Sequence, residues 1–363
     1  MSNIAIKKFC DNPNLENFNQ LSRREKTLFL YYSIYCLKNN IGNHIPSLIN
    51  NFYNPIDKVM GLFYCAGIGD ALGAPIEFRR VKPKLPFTGT IREIDVTIQF
   101  QYVNKILKKG SVTDDSEMTF ILFRSILENK GYDRDKTVVK YMNWANYSPF
   151  IGKNTRALLK GVKTLRGYNG RVEKMKENNE WGKSESNGTL MRCSSLALLN
   201  NWKEASNEDC SITNDNNINK ECNLVLLSKI RYFLFGKEEE IIIKTPEVLK
   251  VLKSIENNEV WDVSGKQKGW CCHALHVALS IIRDAKSFTD GIIELYKRYC
   301  SPNISVDIDT IMSITGSLLG AKFGFKSLLK TENKNVRILE ENNSEWFNST
   351  LEKDITKVLK MTD

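Results

Sequence analysis

With 363 residues, 42% hydrophobic and 26% charged, the chain has the composition of a globular protein and excludes a disordered or collagen-like one. Its net charge of +10 permits contact with polyanions, but the Lys and Arg residues are dispersed and no nucleic-acid module accompanies them. The same charge would draw in an acidic small molecule such as a diphosphate. Nine cysteines, an odd number without a repeated C-x-x-C spacing, point to reduced thiols rather than a disulfide framework.

Residues 1–12 carry Lys7, Lys8 and Asp11 where a signal peptide needs an apolar run, and the apolar stretch 27–37 is too short to cross a bilayer. An intracellular, cytoplasmic protein without membrane contact is therefore expected. Apolar residues at i, i+3, i+4 and i+7 predict helices over 22–39, 57–73, 115–129, 136–145, 154–165, 191–200, 220–235, 269–285, 288–299 and 309–329. Asn and Gly clusters, with prolines at 75, 83, 86, 149 and 302, punctuate them. The weak alternation of 91–102 reads as a loop with room for a short strand. The expected class is all-α. Residues 1–54 read as a helical N-terminal extension, 55–330 as one domain, and 331–363 as a polar C-terminal tail that packs loosely. Cys271 and Cys272 lie in an apolar run and read as core packing. His273 and His276, at i and i+3, read as helix histidines with local partners.

Two predicted helices stand apart for their small residues. The early one carries Ala66, Gly67, Gly69, Asp70, Gly73 and Ala74; the late one places Gly316, Gly320 and Gly324 at i, i+4 and i+8. Glycine inside a helix costs about 1 kcal/mol relative to alanine, so such stripes imply close approach of a backbone or a ligand. A transmembrane pairing motif is the rival reading, and Asp70, Lys322 and Lys326 speak against it. Two buried helices crossing tightly at the centre of one domain are expected.

Acidic clusters lie at the margins of those helices. Thr113-Asp-Asp-Ser-Glu-Met118 precedes one apolar run, and Asp307-Ile-Asp-Thr310 precedes another. Four carboxylates and two threonine hydroxyls make an all-oxygen donor set, which suits Mg²⁺ or Mn²⁺ and argues against zinc. Either segment alone also fits a capped helix start with acidic neighbours. Between them stands Ser186-Asn-Gly-Thr-Leu-Met-Arg192, a loop whose glycine would let backbone N–H groups reach a pyrophosphate.

In order, Gly67-Ile-Gly-Asp-Ala-Leu-Gly-Ala-Pro-Ile-Glu-Phe78, 113–118, 186–192 and 307–310 with the following glycines resemble the ADP-ribosylglycohydrolase family, over about residues 61–326. The resemblance implies a compact all-α orthogonal helical bundle with a binuclear Mg²⁺ or Mn²⁺ centre that releases ADP-ribose from modified proteins or small ADP-ribosyl compounds. It implies metal-binding roles for Thr113, Asp114, Asp115, Asp307, Asp309 and Thr310. Glu77 would face metal and substrate, with Glu77, Asp115 and Asp309 the candidate catalytic acids. Ser186, Asn187, Gly188, Met191 and Trp270 would line the ADP-ribose. Arg192 is expected to pair structurally. Ser116, Ser194-Ser195, Thr213-Asn214-Asp215 and Ser305-Val306 depart from the family's pattern, and Ser305-Val306, where many members carry Gly-Gly, would crowd the ligand. Three readings follow: a metal-dependent ADP-ribosyl hydrolase, a monomer, cleaving arginine linkages by preference; a catalytically silent ADP-ribose-binding or structural relative; and a nucleic-acid-binding protein, for which no module speaks.

Overall fold

In the computed structural model, residues 55–77, 96–100, 103–236, 239–300 and 305–361 are described, so the helix expected at 22–39 and the whole of 1–54 lie outside the described residues. The first described helix, α1 (Pro55–Glu77), is buried from Val59 to Ala74. A helix that is apolar on all sides belongs in a core or a membrane. Length and composition alone would let α1 span a bilayer, yet 89% of its most apolar window is buried within the protein.

The partner of α1 is α11 (Ile308–Phe323), buried from Ile308 to Ala321. Their contact is made by absent side chains. A Cβ on Gly320 would overlap the Gly61 carbonyl, one on Gly316 the Cys65 carbonyl, and one on Gly69 the Met312 carbonyl. At the end of the crossing a Cβ on Gly73 would overlap the backbone of Asp309. This is the tight crossing that the small-residue stripes imply, and it sets the start of α11 beside the last turns of α1.

Other helices wrap that pair. They are α2 (Asp114–Asn129), α3 (Arg134–Tyr147), α4 (Lys153–Leu159), α5 (Leu165–Glu177), α6 (Trp202–Cys210), α7 (Asn217–Phe235), α8 (Pro246–Glu256), α9 (Cys271–Asp284) and α10 (Phe288–Tyr299). Helices α2, α7, α9 and α10 pack directly on α11. Caps written in the sequence start several of them: Asp133 accepts from the Lys136 N–H, Thr164 from Gly167, Asn216 from Asn219, and Ser287 from Asp290. The fold is all-α, with a peripheral antiparallel hairpin of β1 (Val96–Phe100) and β2 (Val103–Leu107) as the strands among the described residues.

Several boundaries differ from the periodicity. The helix expected at 154–165 stops at Leu159, because Gly161 turns the chain at φ +77° and Thr164 caps a new helix. Residues 191–200 form a 3₁₀ segment, Cys193–Leu198, rather than an α-helix. The helix expected at 309–329 breaks at Gly324, whose φ of +79° ends α11; Asp57 then accepts the Lys326 N–H in the first turn of α12 (Phe325–Asn342). Gly324 thus ends the helix and still belongs to the crossing, since a Cβ on Gly61 would meet its backbone. The described part of the segment 331–363, expected to be a loose polar tail, continues α12 and adds α13 (Leu351–Met361), with Val336, Leu339, Phe347, Leu351, Ile355 and Val358 buried in the core. The ring of Phe347 occupies the space that a Cβ on Gly67 would need and packs edge-on against Phe120 at 4.8 Å. Polar residues dominate the segment's composition while its apolar ones share a face, so composition hid an amphipathic helix.

The crossing makes a direct prediction. Gly320→Ala should lower the unfolding free energy in urea by about 2–3 kcal/mol, since a methyl group must displace backbone. Gly170→Ala, in α5 with open space around its Cα, should instead raise it by about 0.5–1 kcal/mol.

Candidate metal centre

Where α1 ends, α2 and α11 begin, and their carboxylates meet. Asp70 of α1 is fully buried and accepts from the Thr113 N–H at 3.0 Å, the Ser116 N–H at 3.1 Å and the Ser116 hydroxyl at 2.7 Å. It is the tertiary cap of α2, supplying the acceptor that Thr113, at the N-cap position, does not supply itself. The Thr113 hydroxyl lies 2.9 Å from Asp70 Oδ1 and 3.0 Å from Asp115 Oδ2, so one proton serves two carboxylates. The Thr310 hydroxyl reaches Asp115 Oδ2 from the other cluster, at 3.3 Å. Asp115 Oδ1 is buried with no hydrogen-bond partner.

Asp309 joins two groups. Its carboxylate lies with Asp70 and Asp115 in one and with Glu77 and Asp307 in the other, the oxygens within each group lying inside 4.8 Å of one another. Asp307 is anchored by the Asn187 amide, which donates to Oδ2 at 2.8 Å, and Glu77 pairs with Lys268 at 2.9 Å. Asp114, the sixth expected ligand neighbour, is half-buried and falls outside both groups.

Crowding sets the charge state. Burial, then the charges of Asp70 and Glu117, pushes Asp114 up to about 7. Burial and the neighbouring Glu77 push Asp307 up to about 8, and burial with several carboxylate neighbours pushes Asp115 and Asp309 well above the usual range. Asp70 rises to about 6, since burial outweighs its four hydrogen bonds. Glu77 is the exception: burial pushes it up, but hydrogen bonding with Asp309 and the charge of Lys268 leave it below its ordinary value. Five carboxylates in two groups, one orphaned oxygen and no soft donor among them fit hard divalent cations, which would supply the missing positive charge and the missing partner for Asp115 Oδ1.

The expected substrate loop stands beside this centre. The Asn187 N–H donates to the Gly269 carbonyl at 2.8 Å, and Ser186 forms an antiparallel bridge with Trp270. The buried Arg192 pairs with Asp209 at 2.8 Å and donates to the Gly188 carbonyl at 3.1 Å, which holds the loop from behind. Asn214, at one of the divergent positions, donates from its amide to Ser184 and Ser186 and pins the same loop. A Cβ on Gly188 would meet nothing closer than the Ser186 hydroxyl at 3.8 Å. Met191 is buried behind the loop, its carbonyl accepting from Thr119 at 3.2 Å. Trp270 is held by Glu185, which accepts its indole N–H at 2.8 Å. At Gly269 a Cβ would stand 3.2 Å from Asp307 Oδ2, a tight contact that the glycine avoids. At the divergent Ser305-Val306, Val306 is buried in the apolar core and Ser305 is exposed. His276 stacks on Trp261 at 4.5 Å and contacts the Glu259 carbonyl, a packing role.

Sequence reasoning missed two residues of the site. Asp70 was visible within the small-residue helix, where a lone acid among glycines and alanines signals a buried acceptor. Lys268 had no signal, because its partner is 191 positions away in the chain.

An all-α domain whose helix starts converge on a carboxylate centre is a metal-site scaffold. The profile of ADP-ribosylglycohydrolase matches residues 52–358, and the chain belongs to that family, whose members are typically metal-dependent. A putative ADP-ribosyl glycohydrolase of Acanthamoeba polyphaga mimivirus is 30% identical over 149 residues, which cover 37% of this chain and 39% of that protein. The ADP-ribosyl-[dinitrogen reductase] glycohydrolase of Rhodospirillum rubrum is 21% identical over 281 residues, 74% of this chain and 86% of that one. A solved structure described as an ADP-ribosylglycohydrolase-related protein complex shares the fold at a TM-score of 0.59 and 19% identity, covering 85% of this chain and 99% of that one.

The raised carboxylates dictate how stability depends on pH without metal. Between their unfolded values near 4 and their folded values, the native state holds more protons than the unfolded one, so stability falls as pH rises. Thermal unfolding of the chelated protein should therefore show a lower midpoint at pH 8 than at pH 5, on the order of several degrees. Millimolar Mg²⁺ should raise the midpoint more at pH 8 than at pH 5. Equal midpoints at both pH values, with no Mg²⁺ effect, would mean the carboxylates do not repel as the geometry requires.

Proposed function

We propose that this chain is a metal-dependent hydrolase that releases ADP-ribose from ADP-ribosylated side chains, arginine linkages by preference, with two Mg²⁺ ions, or Mn²⁺, held by Thr113, Asp114, Asp115, Asp307, Asp309 and Thr310. We place it in the cytoplasm as a monomer. The observation that carries the reading is the sharing of Asp309 between the Asp70–Asp115 and Glu77–Asp307 groups, which makes two distant segments one oxygen-lined centre. When bound, the cations supply the charge that orients ribose hydroxyls and makes water more acidic. The bond at the anomeric carbon would break through an oxocarbenium-like transition state, as in other glycoside cleavages. Glu77 is the proton acceptor in this proposal: Asp115 and Asp309 are nearly sealed, whereas the Glu77 side chain keeps 15% of its surface and stays ionised beside Lys268. Asn187 fixes Asp307, and Gly188 presents bare backbone to the diphosphate. The acids at the cleft favour a cationic guanidinium leaving group over a serine hydroxyl.

Asp309→Asn should lower kcat/KM by about 100-fold or more while leaving the metal-free protein folded, because the amide replaces a carboxyl that burial and its acidic neighbours already keep protonated. Gly188→Val should fold normally, given the open space at its Cα, yet weaken ADP-ribose binding by about tenfold. Side-by-side release assays on ADP-ribosyl-arginine and ADP-ribosyl-serine with and without chelator test the substrate. Faster arginine release, abolished by chelation, is expected. Faster serine release overturns the leaving-group argument, and ADP-ribose binding without release from either linkage gives the silent relative instead.

A further inference from the structure

Apart from the acid centre, α7 and α9 bring three thiols together. The sulfurs of Cys222, Cys271 and Cys272 all lie within 4.8 Å of one another, and all three side chains are fully buried. Cys222 Sγ stands 3.8 Å from Cys272 Sγ. That distance separates the candidate chemistries. A disulfide requires about 2.05 Å, so this pair would have to close by almost half. Two thiolates on one ion, with bonds of about 2.3 Å, sit about 3.7–4.0 Å apart for tetrahedral to trigonal angles. The sulfurs are already at the spacing of ligands that share an ion.

Charge makes the same distinction. Hydrogen bonds from Cys222 and then Cys271 hold the Cys272 thiol down at about 5, so the cluster is one thiolate between two thiols. Cys271 and Cys272 open α9, where the helix N-terminus favours negative charge. A divalent cation that replaces the two thiol protons leaves the cluster with the same single negative charge that it carries before binding. Among the described residues no carboxylate or imidazole joins the group, so its donors are all soft, unlike the all-oxygen centre.

We propose that Cys222, Cys271 and Cys272 form a three-sulfur binding site for a thiophilic divalent cation of the zinc and cadmium class, separate from the oxygen-lined centre. Binding releases two protons to solvent and forms three metal–sulfur bonds. The ion ties α7 to the first turn of α9, directly after Gly269 and Trp270, which hold Asn187 and Ser186. The inference does not rest on the hydrolase reading, because its readout is spectroscopic.

The test is a Cd²⁺ titration of the whole chain in saturating Mg²⁺, followed by the sulfur-to-cadmium charge-transfer absorption, which carboxylates do not give. One Cd²⁺ per chain, release of about two protons per ion, and slower alkylation of Cys222, Cys271 and Cys272 with Cys300 unchanged are expected. C222A and C272A should lose the absorption, and C300A should keep it. The alkylation map uses the unaltered chain, so it stands even if a variant fails to fold. No absorption, an absorption that survives both C222A and C272A, or protection at other cysteines would each overturn the site.

Discussion

Backbone contact between α1 and α11 is the constraint from which the rest of the structure follows. Glycines at 61, 69 and 73 on one helix and at 316 and 320 on the other remove the side chains that would hold the axes apart. Those five residues give up about 4–5 kcal/mol of intrinsic helix preference relative to alanine. Burial of two almost wholly apolar helices offsets that cost, and the yield is positional. With Gly73 against the backbone of Asp309, the carboxylates that open α11 stand beside Asp70 and Glu77 of α1. A looser crossing would leave two acidic helix starts several ångströms apart, each an ordinary cap.

The centre that results is held in tension. Hydrogen bonds to Asp70 fix the start of α2, and the Thr113 and Thr310 hydroxyls meet at Asp115 from opposite clusters. The same closeness forces protons onto carboxylates that would be ionised in water. Packing energy, not electrostatics, therefore assembles the metal-free site, and cations are what would make its charge state favourable. The protein as a whole is basic, yet among the described residues Lys268 is the cation paired directly to this cluster. Dispersed lysines do not neutralise a buried acid group, because water screens them and the centre is out of their reach.

Behind the centre, the loop at 186–192 is braced by buried side chains. Arg192 is sealed in by Asp209 and Thr213 and reaches the Gly188 carbonyl. Asn214 holds Ser184 and Ser186 by its amide. One of the positions that depart from the family's pattern is thus used here to brace the loop.

The all-α class, the pair of glycine-striped helices and both oxygen-donor clusters were legible in the sequence, because periodicity, small residues in a helix and acids at a helix start are local signals. So were the caps at Asp133, Thr164, Asn216 and Ser287, which act within one turn. The tertiary structure alone decided what depends on distant partners. Asp70 became the cap of α2 only when α1 lay against it, and Lys268 found Glu77 across 191 positions. Gly324 proved a break as well as a contact: its φ of +79° ends α11 while its backbone lies against Gly61 of α1. The C-terminal segment looked like a polar tail until the face of Leu351, Ile355 and Val358 met the core. A sequence states which groups a chain carries and how each turn begins; which oxygens share one buried volume is set by packing, where a missing Cβ far along the chain decides whether two carboxylates meet.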